Sequence, residues 1–251
     1  MKKLGFTLAE VLITLTIIGI VAAITIPALM HSMDKTHYIS AIKTFQSNFT
    51  NGFAEMMATE MVDSLSEASP WNCFTGIVAS AETDEHKCIY NAMKNYFSLS
   101  DPTDGLPAGV KVYGINGSEE TDSLGNTIRY NLPNGMTVNV NYMNDILSKS
   151  ECNTLKDLGG NMCGMSAQFI LDVNGNKKPN IIGKDIYLFA LAPNGKLYPA
   201  GGKDWSIYTG DKDSKWKSTC QGKPLPATCR GAEVYNLTGR VIEEGTQITY
   251  Y

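Results

Sequence analysis

The sequence predicts an α+β fold, in which one long N-terminal helix packs on an antiparallel β-sheet head. Three observations predict it. An apolar run covers residues 6–30, an apolar stripe with helical spacing follows, and short alternating segments separated by Asn-Gly turns fill the second half. A chain of 251 residues, 43% hydrophobic and 18% charged, has room for one sizeable domain or two small ones.

The apolar run is long enough to cross a membrane as a helix. Its about 25 residues carry one charge, Glu10, and a helix of that length spans a hydrocarbon core of ~30 Å. Lys2 and Lys3 precede the run, so the positive-inside rule places the N-terminus in the cytoplasm and the remainder outside. A secretory signal peptide cleaved near residues 21–23 is the alternative, but the run exceeds the usual ~7–15-residue apolar region of such peptides.

Glu10 is the unusual residue of this run. A carboxylate inside an apolar membrane segment is unfavourable. Its position in the first turns lowers the cost, because the positive end of the helix and the nearby interface favour a negative charge there. A purely structural Glu10 is therefore one explanation. The interpretation that we favour is a cationic partner supplied by another molecule.

Residues 2–11, with the sequence KKLGFTLAEV, resemble the N-terminal signature of type IV prepilins and type II secretion pseudopilins. The resemblance implies that a membrane prepilin peptidase cuts between Gly5 and Phe6 and methylates the new N-terminal Phe6. Glu10 then becomes the fifth mature residue, which in this family pairs with the terminal amine of a neighbouring subunit. Ala9 departs from the branched aliphatic residue more common there, and the cleavage and pairing residues are intact.

The resemblance also implies a ladle-shaped subunit. We divide it into a leader at 1–5, a transmembrane helix segment at 6–30, an amphipathic continuation at 31–66 and an extracytoplasmic head at 67–251. Gly19 and Pro27 are predicted to interrupt the apolar helix, because proline removes one amide donor. In the family the helix between the equivalent residues loosens in assembled filaments. An ordinary proline kink is the alternative.

The helix is predicted to continue past the membrane and to end near residues 64–70. Apolar residues recur there at three- and four-residue steps, which is typical of a helix that faces a core. They are Tyr38, Ile42, Phe45, Phe49, Phe53, Met56 and Met57. Residues 70–81 predict a loop, and residues 84–97 predict a second, short helix.

The second half predicts an antiparallel meander. Two Pro-Asn-Gly turns, at 133–135 and 193–195, are typical of hairpins because Asn-Gly adopts positive φ readily. The strands are predicted at 109–115, 127–132, 136–142, 166–173, 185–192, 196–199 and 247–251. A less regular loop that carries two cysteines is predicted before the last strand.

Six cysteines fall into three consecutive pairs whose members are close in sequence. This spacing predicts the disulfides Cys73–Cys88, Cys152–Cys163 and Cys220–Cys229, although six cysteines permit fifteen pairings. Zinc binding and unpaired core thiols are the alternatives, and the absence of CxxC argues against zinc. Disulfides require an oxidising compartment, so the head is expected outside the cytoplasm.

One polar loop offers oxygen atoms to a cation. Asp172 and Asn174 stand at alternate positions in a glycine turn, and Asp185 supplies a second carboxylate, which together could bind Ca²⁺. The pattern is not an EF-hand, and three lysines nearby oppose a cation. Major pseudopilins bind calcium near their sheet, but no matching motif transfers those ligands. We favour a hydrogen-bonded turn, and expect no other cofactor.

Charge and motifs exclude other functions. The net charge is −4 and Lys and Arg are dispersed, which argues against a nucleic-acid partner. The sequence contains no GxSxG, HExxH or Walker-type loop, and its three histidines are scattered, so we expect no enzymatic activity.

The sequence therefore predicts a structural subunit of a type IV pilus or a type II secretion pseudopilus-like filament. Its expected partners are the prepilin peptidase, other pilin or pseudopilin subunits, an inner-membrane assembly platform and membrane lipid. The expected location is the bacterial inner membrane, as a single-pass protein, and then a cell-surface or periplasmic filament. The alternative is a secreted or membrane-anchored, disulfide-bonded binding protein that forms no filament.

Overall fold

A computed structural model describes residues 7–74, 85–124, 127–142, 167–203, 205, 216–245 and 248–250. It has an apolar N-terminal helix followed by a sheet-based head, which confirms the α+β class. The predicted cleavage site between Gly5 and Phe6 and the predicted pair Cys152–Cys163 lie outside the described residues.

Helix α1, Leu8–Glu60, is 53 residues long and about 80 Å in length. It is continuous through Gly19 and Pro27, so the predicted interruption is absent from the isolated chain. A proline inside a helix removes one amide donor, and the turns on either side of Pro27 keep their own hydrogen bonds. The helix therefore continues on both sides of Pro27.

Helix α1 ends earlier than predicted. The cap residue Met61 adopts a left-handed conformation with φ 57°, and its amide donates to the carbonyls of Ala58 and Met57. A 3₁₀ turn at Leu65–Glu67 follows. The amphipathic helix predicted to reach residue 66 thus stops at Glu60, because the left-handed conformation of Met61 does not continue a right-handed helix.

The two halves of α1 have different surroundings. The apolar residues of the first half are exposed, from Leu8 to Leu29. The second half packs the predicted stripe against the head: Ile42, Phe45, Phe49, Phe53 and Met56 are buried, and Tyr38 and Met57 are partly buried. Ile39, which the stripe did not include, is buried as well. The ring centroids of Phe45 and Phe189 are 5.4 Å apart, and those of Phe49 and Phe169 are 5.7 Å apart. Aromatic packing therefore joins the helix to one face of the sheet.

The described strands form one sheet in the order β1-β3-β4-β5-β7-β6-β2, and β8 also pairs with β7. Their bounds are Thr103–Asp104 (β1), Tyr113–Gly114 (β2), Ile128–Asn131 (β3), Thr137–Tyr142 (β4), Ala167–Asp172 (β5), Ile181–Ile182 (β6), Ile186–Leu191 (β7) and Leu197–Pro199 (β8). The pairs β3–β4, β4–β5, β5–β7 and β7–β8 are antiparallel, as predicted. The pairs β6–β7 and β2–β6 are parallel, so the sheet is mixed.

Several shorter elements differ from the predictions. The strand predicted at 109–115 is limited to Tyr113–Gly114, and residues 248–250 are not in a strand. Short helices lie at Trp71–Phe74 (α2), Glu85–Met93 (α3), Trp216–Thr219 (α4) and Leu237–Glu244 (α5). Helix α5 lies where an irregular loop was predicted, and it packs against α1, β7 and β8.

Two disulfides are present among the described residues. Cys73–Cys88 joins α2 to α3, with Cα atoms 5.4 Å apart. Cys220–Cys229 closes a loop of sequence separation 9, with Cα atoms 4.8 Å apart. Both close short local loops, which limits the conformational freedom of the unfolded chain.

Candidate functional site

The start of α1 is held by a capping box between Thr7 and Glu10. The backbone amide and the hydroxyl of Thr7 each donate to Glu10 Oε2 at 2.8 Å. The Glu10 amide donates to Thr7 Oγ1 at 3.3 Å in return. Two amides at the start of the helix, which have no partner within it, are satisfied in this way.

This geometry gives Glu10 a structural role at the helix start. Its side chain is exposed, and Oε2 accepts both hydrogen bonds from Thr7. In the sequence, Glu10 lies four positions after Phe6, the residue that would carry a new terminal amine after cleavage. The exposed carboxylate is accessible to a cationic group of another molecule. The assignment of Glu10 as a docking group stays a prediction.

The segment that follows Glu10 is apolar, and its large side chains are exposed. Leu8–Pro27 is the one helical stretch among the described residues that is long and apolar enough to cross a membrane, and none of it is buried within the chain. A signal sequence would satisfy the same test of length and composition. The segment fits anchoring in an inner membrane, because exposed apolar surface of this extent is removed from water by lipid.

A family model described as the prokaryotic N-terminal methylation motif matches residues 1–26. The chain carries a type IV prepilin-like signature. This match confirms the resemblance seen in the sequence and covers the leader, Glu10 and Gly19, whereas Pro27 and the head lie beyond it. No curated protein and no solved structure matches the chain.

The candidate calcium residues meet in one loop. Asn174 Nδ2 donates to Asp185 Oδ2 at 3.0 Å, which brings Asn174 and Asp185 together. Asp172 accepts hydrogen bonds from the amides of Asn174, Gly175 and Asn176. This is the hydrogen-bonded turn that the sequence favours, with the carboxylate of Asp172 at its centre.

Asp185 organises the other end of this loop. Its carboxylate is fully buried and also accepts hydrogen bonds from the amides of Asn180 at 2.9 Å and Ile181 at 2.6 Å. Burial raises the pKa of Asp185 to about 6, because three hydrogen bonds offset the loss of hydration only in part. Burial likewise raises the pKa of Asp172.

The loop retains oxygen atoms that a hard cation could use. The Oδ1 atoms of Asn174, Asn176 and Asn180 are buried and have no hydrogen-bond partner among the residues that the structure describes. Amide oxygens of this kind are calcium ligands in proteins. The described part of the chain contains no group of three or more His, Cys, Asp or Glu residues suited to a metal. The calcium site at Asp172, Asn174 and Asp185 stays a prediction, and the turn accounts for both carboxylates.

A second polar centre, which was not predicted from the sequence, lies at Arg240 in α5. Its guanidinium is buried and donates to the carbonyls of Cys220 and Gly222 at 2.8 and 3.0 Å, and to Glu244 Oε1 at 2.8 Å. The rings of Trp216 and Tyr250 lie 5.2 and 5.0 Å from it. Arg240 therefore joins the Cys220–Cys229 loop to α5. A lone arginine in a short helix offers no sequence signal for this role.

Proposed function

We propose that this chain is a structural subunit of a type IV pilus or pseudopilus-like filament. One observation carries the proposal: the methylation motif at residues 1–26 coincides with a bare apolar helix that continues into a folded head. A filament whose subunits pack through such helices buries this surface, which a solitary soluble protein leaves exposed.

Processing and location follow from the same residues. The prepilin peptidase cuts between Gly5 and Phe6 and methylates Phe6. The apolar segment holds the subunit in the inner membrane, with its N-terminus in the cytoplasm and the disulfide-bonded head outside. The subunit then enters a filament through an inner-membrane assembly platform.

Assembly by this route uses Glu10 as the docking group. The terminal amine of Phe6 in a neighbouring subunit neutralises the Glu10 carboxylate inside the helix bundle. An opposite charge is needed there, because an unpaired carboxylate is unfavourable in an apolar surrounding. The head carries no reaction in this proposal, and its role is to form contacts.

The rival function is a secreted or membrane-anchored binding protein whose apolar segment is a signal or an anchor. Mass spectrometry of the mature N-terminus separates the two. The filament subunit begins at N-methylated Phe6, whereas ordinary secretion leaves a terminus near Ile24. A terminus near Ile24, or an uncut Met1, would contradict the proposal.

A further inference from the structure

The distal end of α1 and the turn after it carry only negative charge. The sequence contains no lysine or arginine between Lys43 and Lys87. Four acids in this stretch are exposed, and we call them the acidic end: Glu55, Glu60, Asp63 and Glu67. Like charges gathered at one end of a domain attract a surface of opposite sign.

A cleft of about 510 Å³ lies between α1, β8 and α5, and its α1 residues precede the acidic end along the helix. Three exposed lysines line it, and we call it the lysine cleft: Lys43, Lys196 and Lys203. Glu243 also lines the cleft, but its Oε2 accepts a hydrogen bond from Trp216 Nε1 and lies 3.7 Å from Lys217 Nζ. The cleft therefore presents a net positive charge.

The acidic end and the lysine cleft have no ionic partners within the described part of their own chain. Lys43 Nζ donates to the carbonyl of Gly245 at 2.7 Å, which leaves its charge unpaired. Lys196 and Lys203 form no ion pair there, and neither do the four acids. Lys43 and Glu55 are separated by about 120° around the helix and about 18 Å along it, so they do not meet within one chain.

We propose that the lysine cleft of one subunit binds the acidic end of a second copy of this chain. The inference rests on the proposed filament function. The cleft lies beside α1 residues 43–51, and two members of the acidic end are Glu55 and Glu60. A parallel copy displaced towards its own N-terminus by about 14–18 Å brings both acids to the level of the cleft.

Such a contact has the symmetry that a fibre requires. The surfaces are different, so each subunit uses its cleft on one neighbour and offers its acidic end to another. Contacts of this heterologous kind continue without closing and generate helical filaments. Single exposed ion pairs contribute little, but several in one place select the register between subunits and weaken as salt screens them.

Cross-linking of assembled filaments tests the contact directly. Filaments are grown from a mixture of light and ¹⁵N-labelled full-length chains and treated with a carbodiimide, which joins lysine to carboxylate without a spacer. The expected products join Lys196 or Lys203 to Glu55 or Glu60 and contain one light and one heavy peptide. Products in which these lysines join only other carboxylates would overturn the proposal.

Charge reversal supplies the second measurement. The pair Lys196→Glu and Lys203→Glu should lower filament yield by about tenfold, because like charges then face each other. Adding Glu55→Lys and Glu60→Lys should restore most of the yield. The control pair Lys177→Glu and Lys178→Glu has the same charge change on exposed lysines elsewhere and should assemble normally.

Precursor cleavage and protease resistance of the head are measured for every variant, so that misfolding is recognised. Wild-type yield from the reversed cleft would overturn the inference and leave the filament function standing. A cleaved wild-type chain that forms no filament at all would overturn the filament function and, with it, the inference.

Discussion

The Phe97 ring lies against the backbone of Gly52, so closely that a Cβ atom at this position would overlap the ring. Both residues are buried. Phe97 cannot move aside freely, because its ring stacks on Phe49 at a centroid distance of 4.6 Å and lies 5.0 Å from Phe53. The glycine thus lets the segment after α3 approach α1.

Replacing Gly52 by alanine should therefore destabilise the head despite improving helix propensity. Overpacking costs about 1–3 kcal/mol and the propensity gain is about 1 kcal/mol, so we expect a net loss of up to about 2 kcal/mol. Denaturant unfolding of the full chain in detergent measures it. Gly19→Ala is the control, since nothing lies within 4 Å of its added Cβ. Equal stability of both variants would contradict the packing argument.

Substitution of Arg240 by lysine should destabilise the head more than the same substitution at an exposed arginine. Arg240→Lys keeps the charge but loses the planar fork that reaches Cys220, Gly222 and Glu244 together. We expect the free energy of unfolding to fall by about 2–3 kcal/mol. Denaturant unfolding monitored by tryptophan fluorescence measures this loss. Arg230→Lys is the matched control, because Arg230 is exposed. A loss no greater than that of the control would show that the buried fork is dispensable.

The buried Asp185 carboxyl should make the head less stable as the pH rises. Its pKa in the folded state, about 6, exceeds the ordinary value of 3.8, so the folded chain binds more protons than the unfolded chain between these values. This contribution is complete below about pH 4 and is lost as the pH rises through 6. The loss is on the order of 3 kcal/mol.

Melting curves from pH 4 to 7 in EDTA measure this slope for wild type and for Asp185→Asn, which cannot ionise. The wild-type advantage over the variant should shrink as the pH rises. EDTA removes divalent cations, so that protons are the only ligand that varies. A difference between the two proteins that is constant across this range would contradict the assigned pKa shift.

The parts of the fold that the sequence predicts are those governed by local patterns. The stripe of α1 and the hairpins at Pro133 and Pro193 follow from side-chain spacing and from turn residues. Strands β2 and β6 have two residues each and form through pairing distant in sequence, such as Tyr113 with Ile181. No local pattern predicts such pairs.

Helix α5 was missed for a related reason. Thr238 and Gly239 are weak helix formers, so propensity disfavours a helix here. Contacts override it: Thr238 Oγ1 accepts a hydrogen bond from the Leu188 amide at 2.9 Å, and the Gly239 amide donates to the Ala200 carbonyl at 2.7 Å. At the N-terminus, by contrast, the Thr7-x-x-Glu10 spacing is itself a capping-box pattern, so its geometry could have been predicted.

Because Glu10 takes part in a capping box, a test of Glu10 has to separate its role in the helix cap from its proposed role in docking a neighbour. Thr7→Val removes the hydroxyl of the cap and keeps the carboxylate. If Glu10 serves only the cap, Thr7→Val and Glu10→Ala, which both break the capping box, should behave alike. If Glu10 docks a neighbour, Thr7→Val should assemble nearly as well as wild type, since the charge is still present.

Glu10→Gln should leave membrane insertion, cleavage and head folding intact and lower filament yield by about tenfold or more, because the Phe6 amine of a neighbour then lacks its charged partner in an apolar bundle. Glutamine can still accept the Thr7 hydrogen bonds, so the cap survives. Glu10→Asp keeps the charge and should assemble better than Glu10→Gln. Filament yield is measured alongside precursor cleavage. Wild-type yield from a normally cleaved Glu10→Gln chain would mean that the carboxylate serves the helix cap and docks nothing.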